Sequence, residues 1–175
     1  GQIENLAINR CFNNITMFHV LEHVPDPSKT IARCVELLEP GGALFIAVPN
    51  DLDAARQRVK GLLAKVGVPR YARVGSTMLP RIVLDGSMGE IHLSHFTTSS
   101  LEHLLKRHGL NVIERGLDPY SIAEGFRGIV DKVLRSACEL IVRATGRNLY
   151  DAIWMVASQP AIDHPPTAWQ PSVCE

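Results

Sequence analysis

The chain has 175 residues, room for one domain and cramped for two, with 18 Lys and Arg balancing 18 Asp and Glu. A hydrophobic share of 46% against 21% charged excludes a disordered or collagen-like chain. A pI near 7.2 gives no electrostatic footprint for nucleic acid or an anionic membrane surface.

Apolar runs such as Ala43 to Val48 are far too short to span a bilayer. The opening Gly-Gln-Ile-Glu-Asn has neither a basic n-region nor an apolar h-region, and it lacks an initiator Met, as cleavage, a tag scar or a start in the middle of a domain would each leave it. Cys11, Cys34, Cys138 and Cys174 are scattered without a Cys-x-x-Cys pair. Free thiols in a reducing cytoplasm are therefore expected.

The segment Phe12 to Val20 is rich in β-branched and aromatic side chains and predicts a strand. Pro25-Asp26-Pro27 interrupts regular structure, and Asp26 can cap the next helix because Pro27 at its first position forfeits no needed N–H. Ile31, Cys34, Val35 and Leu38 recur at the spacing of one helical face. Pro40-Gly41-Gly42 is expected to end that helix, its glycines admitting positive φ. Ala43 to Val48 then runs apolar without alternation, as a strand covered on both faces of a parallel sheet does. Strand, helix, glycine turn and buried strand make a βαβ unit, which places the chain in the α/β class.

Residues 52–66 predict a helix with Leu52, Ala55, Val59, Leu62, Leu63 and Val66 on one side and basic residues on a solvated face. Residues 67–91 lack any period and read as the irregular part of a 51–91 insertion or lid. Another helix starts near Thr98, with Ser99 and Glu102 at capping-box spacing and Leu101, Leu104 and Leu105 inward. Gly109 closes it, and Leu110 to Arg115 reads as a strand. A stripe running from Ile122 through Ile129, Val130, Val133 and Leu140 to Ala144 predicts a long helix ended by Gly146. Ala152 to Ala157 is a last buried strand, with Trp154 and Met155 as core. Residues 159–175 contain four prolines and are expected to form a flexible tail.

His19-x-x-Glu22-His23 matches the pattern of an inverted zinc-protease motif. That chemistry needs both histidines on one helical face, and Pro25 and Pro27 leave no room for the helix. Zinc hydrolysis is thus a distant alternative, and no metal is expected. His92-x-x-His95 could chelate a cation, but the sequence offers no third ligand nearby, so substrate contact or capping is the expected role.

Phe12 to Pro27, followed by Leu37-Leu38-Glu39-Pro40-Gly41-Gly42 and Ala43 to Asn50, resembles the class I S-adenosylmethionine-dependent methyltransferases. In that family this stretch is the fourth strand, its helix, the Pro-Gly-Gly turn and the fifth strand. Ile91-His-Leu-Ser-His-Phe-Thr, the helix from Leu101 and Gly109-Leu-x-Val112 resemble its distal part, with the sixth strand there and the seventh at Ala152 to Ala157. The likeness covers residues 2–158 and is most specific in the first fifty. The family's Gly-rich loop has no counterpart, since the sequence contains no G-x-G. The implied fold is a partial Rossmann-like sheet of strands four to seven with flanking helices and a helical insertion. Residues 1–158 would then be the C-terminal part of a methyltransferase domain, inactive or nearly so alone.

The resemblance implies S-adenosylmethionine as cofactor and a small-molecule methyl acceptor as partner. Gln2 and Ile3 fall where the family contacts adenine, and Phe18 and His19 flank the methionine part of the cofactor. In the related quinone O-methyltransferases a Glu-x-x-Glu-His stretch is associated with a divalent cation. His19 replaces the first Glu here, which does not suit a hard cation preferring oxygen.

Methyl transfer to a hydroxyl needs an in-line acceptor and a base. His19 and His23 are the catalytic candidates, and His92, His95 and the lid residue Tyr71 the substrate contacts. Each histidine also has a purely structural reading, as a hydrogen-bonding partner of the backbone. A non-catalytic chain that pairs with another, or with its own copy, through the exposed edge of the fourth strand is the alternative from another class.

Overall fold

A computed structural model of the chain describes residues 3–8, 10–69, 91–117 and 125–160, with only the backbone of 126 and 127. After a 3-10 turn at Ile3–Asn5 come β1 (Phe12–Phe18), α1 (Pro27–Leu37), β2 (Leu38–Pro49), α2 (Ala55–Lys65), α3 (Thr98–Arg107), β3 (Asn111–Gly116), α4 (Gly125–Thr145) and β4 (Ala152–Ser158). They build one sheet in the order β1-β2-β4-β3. β1 runs parallel to β2, whereas β4 inserts antiparallel between β2 and β3. The βαβ unit is therefore formed, and β1 lies at the edge of the described sheet.

Alternation and burial set the register. Met17 pairs with Ile46 and Ile46 with Met155, which stacks three apolar side chains across adjacent strands. Ile46 and Met155 are fully buried, in one core with Leu21, Ile31, Cys34, Leu44, Leu101, Leu105 and Ile153. Asp26 caps α1 by accepting from the Lys29 N–H at 3.1 Å, with Pro27 at the first helical position as expected.

Four local expectations fail for identifiable reasons. First, α1 already ends at Leu37, and Pro40-Gly41-Gly42 lies inside β2 as an excursion between Leu38, opposite Phe12, and Ala43, opposite Asn14. A Cβ at Gly42 would meet Glu39 O at 2.8 Å and Asn13 O at 3.1 Å, so only glycine lets the excursion close against β1. Second, the capping box of α3 is Thr97 with Ser100, because Thr97 is the last extended residue. The Glu102 carboxylate instead binds Lys106 and Arg115.

Third, the apolar stripe of α2 is not inward: Val59, Leu62 and Val66 are exposed, and only Gly61 is buried. The helix is held from its polar side, where Arg56 bridges Asp131 of α4 at 2.9 Å and Asp151 at 2.8 Å. Fourth, α4 buries Cys138 against Leu117 and Tyr150, while Ile129, Val130, Val133 and Leu140 face solvent. Cys34 and Cys138 are free and buried as expected, whereas Cys11 is disulfide-bonded. Most of the 67–91 lid and of the tail lies outside the described residues. Among described residues no helix is long and apolar enough to cross a membrane.

Candidate functional site

The parallel pair places Phe18 and Pro49 at the same end of the sheet, where ligand crevices form in this topology. Three segments meet beyond that end. The first leaves β1 through His19, whose φ of +52° is left-handed and turns the chain sharply while its N–H still bonds Ala47 O at 2.9 Å. It continues as a turn, not a helix, through Glu22 and His23. The second is Asn50-Asp51 after β2. The third is 91–96, docked by the Leu93 and Ser94 N–H groups on the Glu22 carbonyl at 2.7 and 3.1 Å.

Two buried acids organise this meeting. One oxygen of the Asp51 carboxylate accepts from His92 Nδ1 at 2.9 Å and from His95 Nδ1 at 2.8 Å. A carboxylate can only accept, so both rings donate through Nδ1 and turn Nε2 away from Asp51. Glu22 is 1% exposed, and among the described residues neither of its carboxylate oxygens has a hydrogen-bond partner. His19 Nδ1 lies 3.4 Å and His23 Nε2 3.8 Å from its Oε1. His23 Nδ1 donates to the Ile91 carbonyl at 3.0 Å, and its ring meets His92 edge-on at 5.0 Å between centroids.

The structure thus brings His19, His23, His92 and His95 to one place. Phe18 is half-exposed at its rim, and Ile3 packs against the main core beside Glu4, which bonds Thr30 of α1. Gln2 and Tyr71 lie outside the described residues. Two expectations are corrected. The turn at 19–25 cannot present His19 and His23 on one helical face, which removes the zinc-protease geometry. His92-x-x-His95 does have a third ligating group beside it, Asp51. Sequence reasoning missed Asp51; its only signal was an acid two residues past the buried strand. A cavity of about 420 Å³ between β3 and α4, lined by Arg115, Arg135 and Trp154, shares no residue with this cluster.

An α/β sheet with a parallel β1–β2 pair and a polar cluster beyond its carboxyl end is a partial sheet of the Rossmann-like class. The family model of the methyltransferase domain matches residues 6–115, and the chain belongs to that family. The cofactor of these enzymes is S-adenosylmethionine. A ubiquinone biosynthesis O-methyltransferase of Xanthomonas oryzae pv. oryzae is 41% identical over 81 residues, which cover 45% of this chain and 30% of that protein. The namesake enzyme of Xanthomonas euvesicatoria pv. vesicatoria is 40% identical over 74 residues, 41% of this chain and 29% of its own length. These matches span less than a third of either relative.

Among solved structures, an S-adenosylmethionine-dependent methyltransferase of Listeria monocytogenes matches with a TM-score of 0.55 at 15% identity, over 90% of this chain and 66% of that one. One from Methanosarcina mazei matches with a TM-score of 0.51 at 16% identity, over 91% and 65%. Both likenesses concern the fold.

The residues present fit one end of the cofactor. Phe18 and His19 leave an exposed, partly apolar rim at the end of β1 of the kind a methionine chain needs. No G-x-G in the sequence offers the close backbone approach that a ribose requires.

Proposed function

We propose that this chain supplies the acceptor side of a methyltransferase that moves a methyl group from S-adenosylmethionine to a hydroxyl of a small molecule. The observation that carries the reading is Asp51 holding two histidines by Nδ1 at the carboxyl end of the parallel strands. The names of the Xanthomonas relatives support oxygen as the acceptor atom. When bound, the cofactor supplies an electrophilic methyl on a sulfonium.

The residues do the rest. Asp51 orients the imidazoles as the acid of a triad orients its base, and His95 Nε2 takes the acceptor proton. Phe18 and His19 flank the methionine chain, with Ile3 on the adenine side. His23 and His92 line the acceptor side. Taken alone, the 175 residues are proposed not to turn over, for want of a ribose-gripping loop. A cytoplasmic location belongs to this reading; the free thiols Cys34 and Cys138 support it, and the Cys11 disulfide stands against it.

The test has two arms. Calorimetry of the purified chain should show no saturable S-adenosylmethionine binding; tight binding refutes the inactive-alone part. Joined to the coding sequence upstream of Gly1, the chain should methylate a phenolic acceptor. There His95→Ala should lower kcat about 100-fold and His19→Ala less, and unchanged kinetics in both would remove the histidines from the reaction.

A second reading is favoured by one observation: within the described sheet β1 pairs with β2 alone. A non-catalytic chain could pair through that edge with a second copy of itself. Sedimentation showing a stable dimer, broken by a proline at Thr16, would favour it.

A further inference from the structure

We propose that the cavity between β3 and α4 binds a small aromatic zwitterion, an α-amino acid with a flat side chain, through Trp154, Arg143 and Glu114. The cavity shares no residue with the Asp51 cluster, so the inference does not rest on methyl transfer. Its volume of about 420 Å³ falls in the range of small-molecule pockets, about 300–1,000 Å³, and admits one such molecule.

Trp154 is the starting point. Its apolar strand reads as core, yet the indole is only half-buried. Its neighbours in the ladder are small, Ala47 on β2 and Gly116 on β3. A Cβ at Gly116 would already touch indole Cε3 at 3.5 Å, so a larger side chain there would lie against the ring. Glycine inside a strand sacrifices packing, and it marks places where another group approaches closely. An indole left open in this way is a platform for a second flat ring, stacked with an offset or met edge-on.

The charges around it select the ligand. Three guanidinium groups line the cavity, and they are not equivalent. Arg135 Nε bonds Glu139 at 3.1 Å, and Arg115 bonds Glu102 of α3 at 3.1 Å, so both already have a countercharge. Among the described residues Arg143 of α4 and Glu114 of β3 make no ion pair, with each other or with any other group, although both line the cavity. One cation on the helix wall and one anion on the strand wall are therefore left open beside the indole. A carboxylate fits the paired donors of a guanidinium, and an ammonium fits the carboxylate of Glu114. An acid alone would leave Glu114 unmatched, and an amine alone would leave Arg143 unmatched.

The test uses the purified chain and three probes. Calorimetry with L-phenylalanine should show one saturable equivalent, and in a Trp169→Phe background, which leaves Trp154 as the sole indole, the emission should change in step. Hydrocinnamate, which lacks the amine, and phenethylamine, which lacks the carboxylate, should each bind at least about tenfold more weakly. Arg143→Gln should weaken phenylalanine about tenfold and leave phenethylamine unchanged, whereas Glu114→Gln should weaken phenylalanine and leave hydrocinnamate unchanged. Gly116→Leu should abolish binding of all three by covering the indole. His103→Gln, exposed on α3, should change nothing. Arg143 and Glu114 are exposed, so their variants keep the core, and circular dichroism separates lost contacts from lost fold for Gly116→Leu. Absence of saturable phenylalanine binding, equal binding of hydrocinnamate, or undiminished phenylalanine binding by Arg143→Gln overturns the proposal. None of these readouts involves turnover.

Discussion

The carboxylate of Asp51 accepts the Nδ1 proton of His92 at 2.9 Å across forty-one residues of chain, and the same oxygen accepts that of His95 at 2.8 Å. One atom two residues past β2 therefore holds both histidines of the 91–96 segment, beside the bonds of Leu93 and Ser94 to the Glu22 carbonyl. Without it, two half-buried N–H donors lose this shared acceptor, and each charge-assisted bond is worth about 1.5–3 kcal/mol.

Asp51→Ala should accordingly lower the unfolding free energy by about 2–3 kcal/mol in a urea titration, with Asp51→Asn intermediate. An unchanged midpoint would mean that the segment is anchored elsewhere.

Asn50, one residue earlier, is equally buried and works toward β4. Its side-chain amide donates to Asn148 O and Tyr150 O, both at 2.9 Å, and its peptide N–H bonds Asp151 O at 2.8 Å. Asn50→Asp replaces two donors by an anion facing two carbonyls. It should cost about 3 kcal/mol or more, and more than Asn50→Ala does. The gap should narrow as the solution is acidified and the new carboxylate takes up a proton; a gap independent of pH contradicts the assignment.

Tyr150 donates to Asp131 at 2.9 Å, and Asp131 in turn pairs with Arg56. Burial, then the bond to Asp131, pushes the phenol from 10.0 up to about 12. The folded state thus holds this proton more tightly than the unfolded state. Its stabilising share is complete below pH 10 and disappears as pH rises through 12. Two units correspond to roughly 2–3 kcal/mol. Urea titrations across that window should show the loss, and Tyr150→Phe should flatten it.

Cys34 sits on the buried face of α1, and its thiol is pushed up to about 11, first by burial and then by the charge of Glu4. Thiolate is the reactive form. In native protein Cys34 should resist alkylation and react fully only after denaturation, as read by mass spectrometry of labelled peptides. Rapid native labelling would show that α1 opens from the sheet.

Much of this was written in adjacent residues. Asp26-Pro27 specifies a helix start through one side-chain oxygen and one missing N–H, so it reads directly from sequence. The apolar Ala43 to Val48 announces a strand covered on both faces, and the stretch around it carried the family resemblance that the match over 6–115 bears out. The histidines of the candidate site were also visible, as two close pairs.

Their organisation was not. Asp51 joins His92 and His95 only because β2 ends where the 91–96 segment docks on Glu22, a proximity no spacing encodes. The antiparallel entry of β4 between β2 and β3 was equally silent, since an apolar strand has the same composition in either direction. The stripes of α2 and α4 are legible as periodic, yet Val59, Leu62, Ile129 and Leu140 face solvent. Periodicity gives a helix an apolar side; only the packing of distant elements, here Arg56 gripping Asp131 and Asp151, decides which side meets the protein.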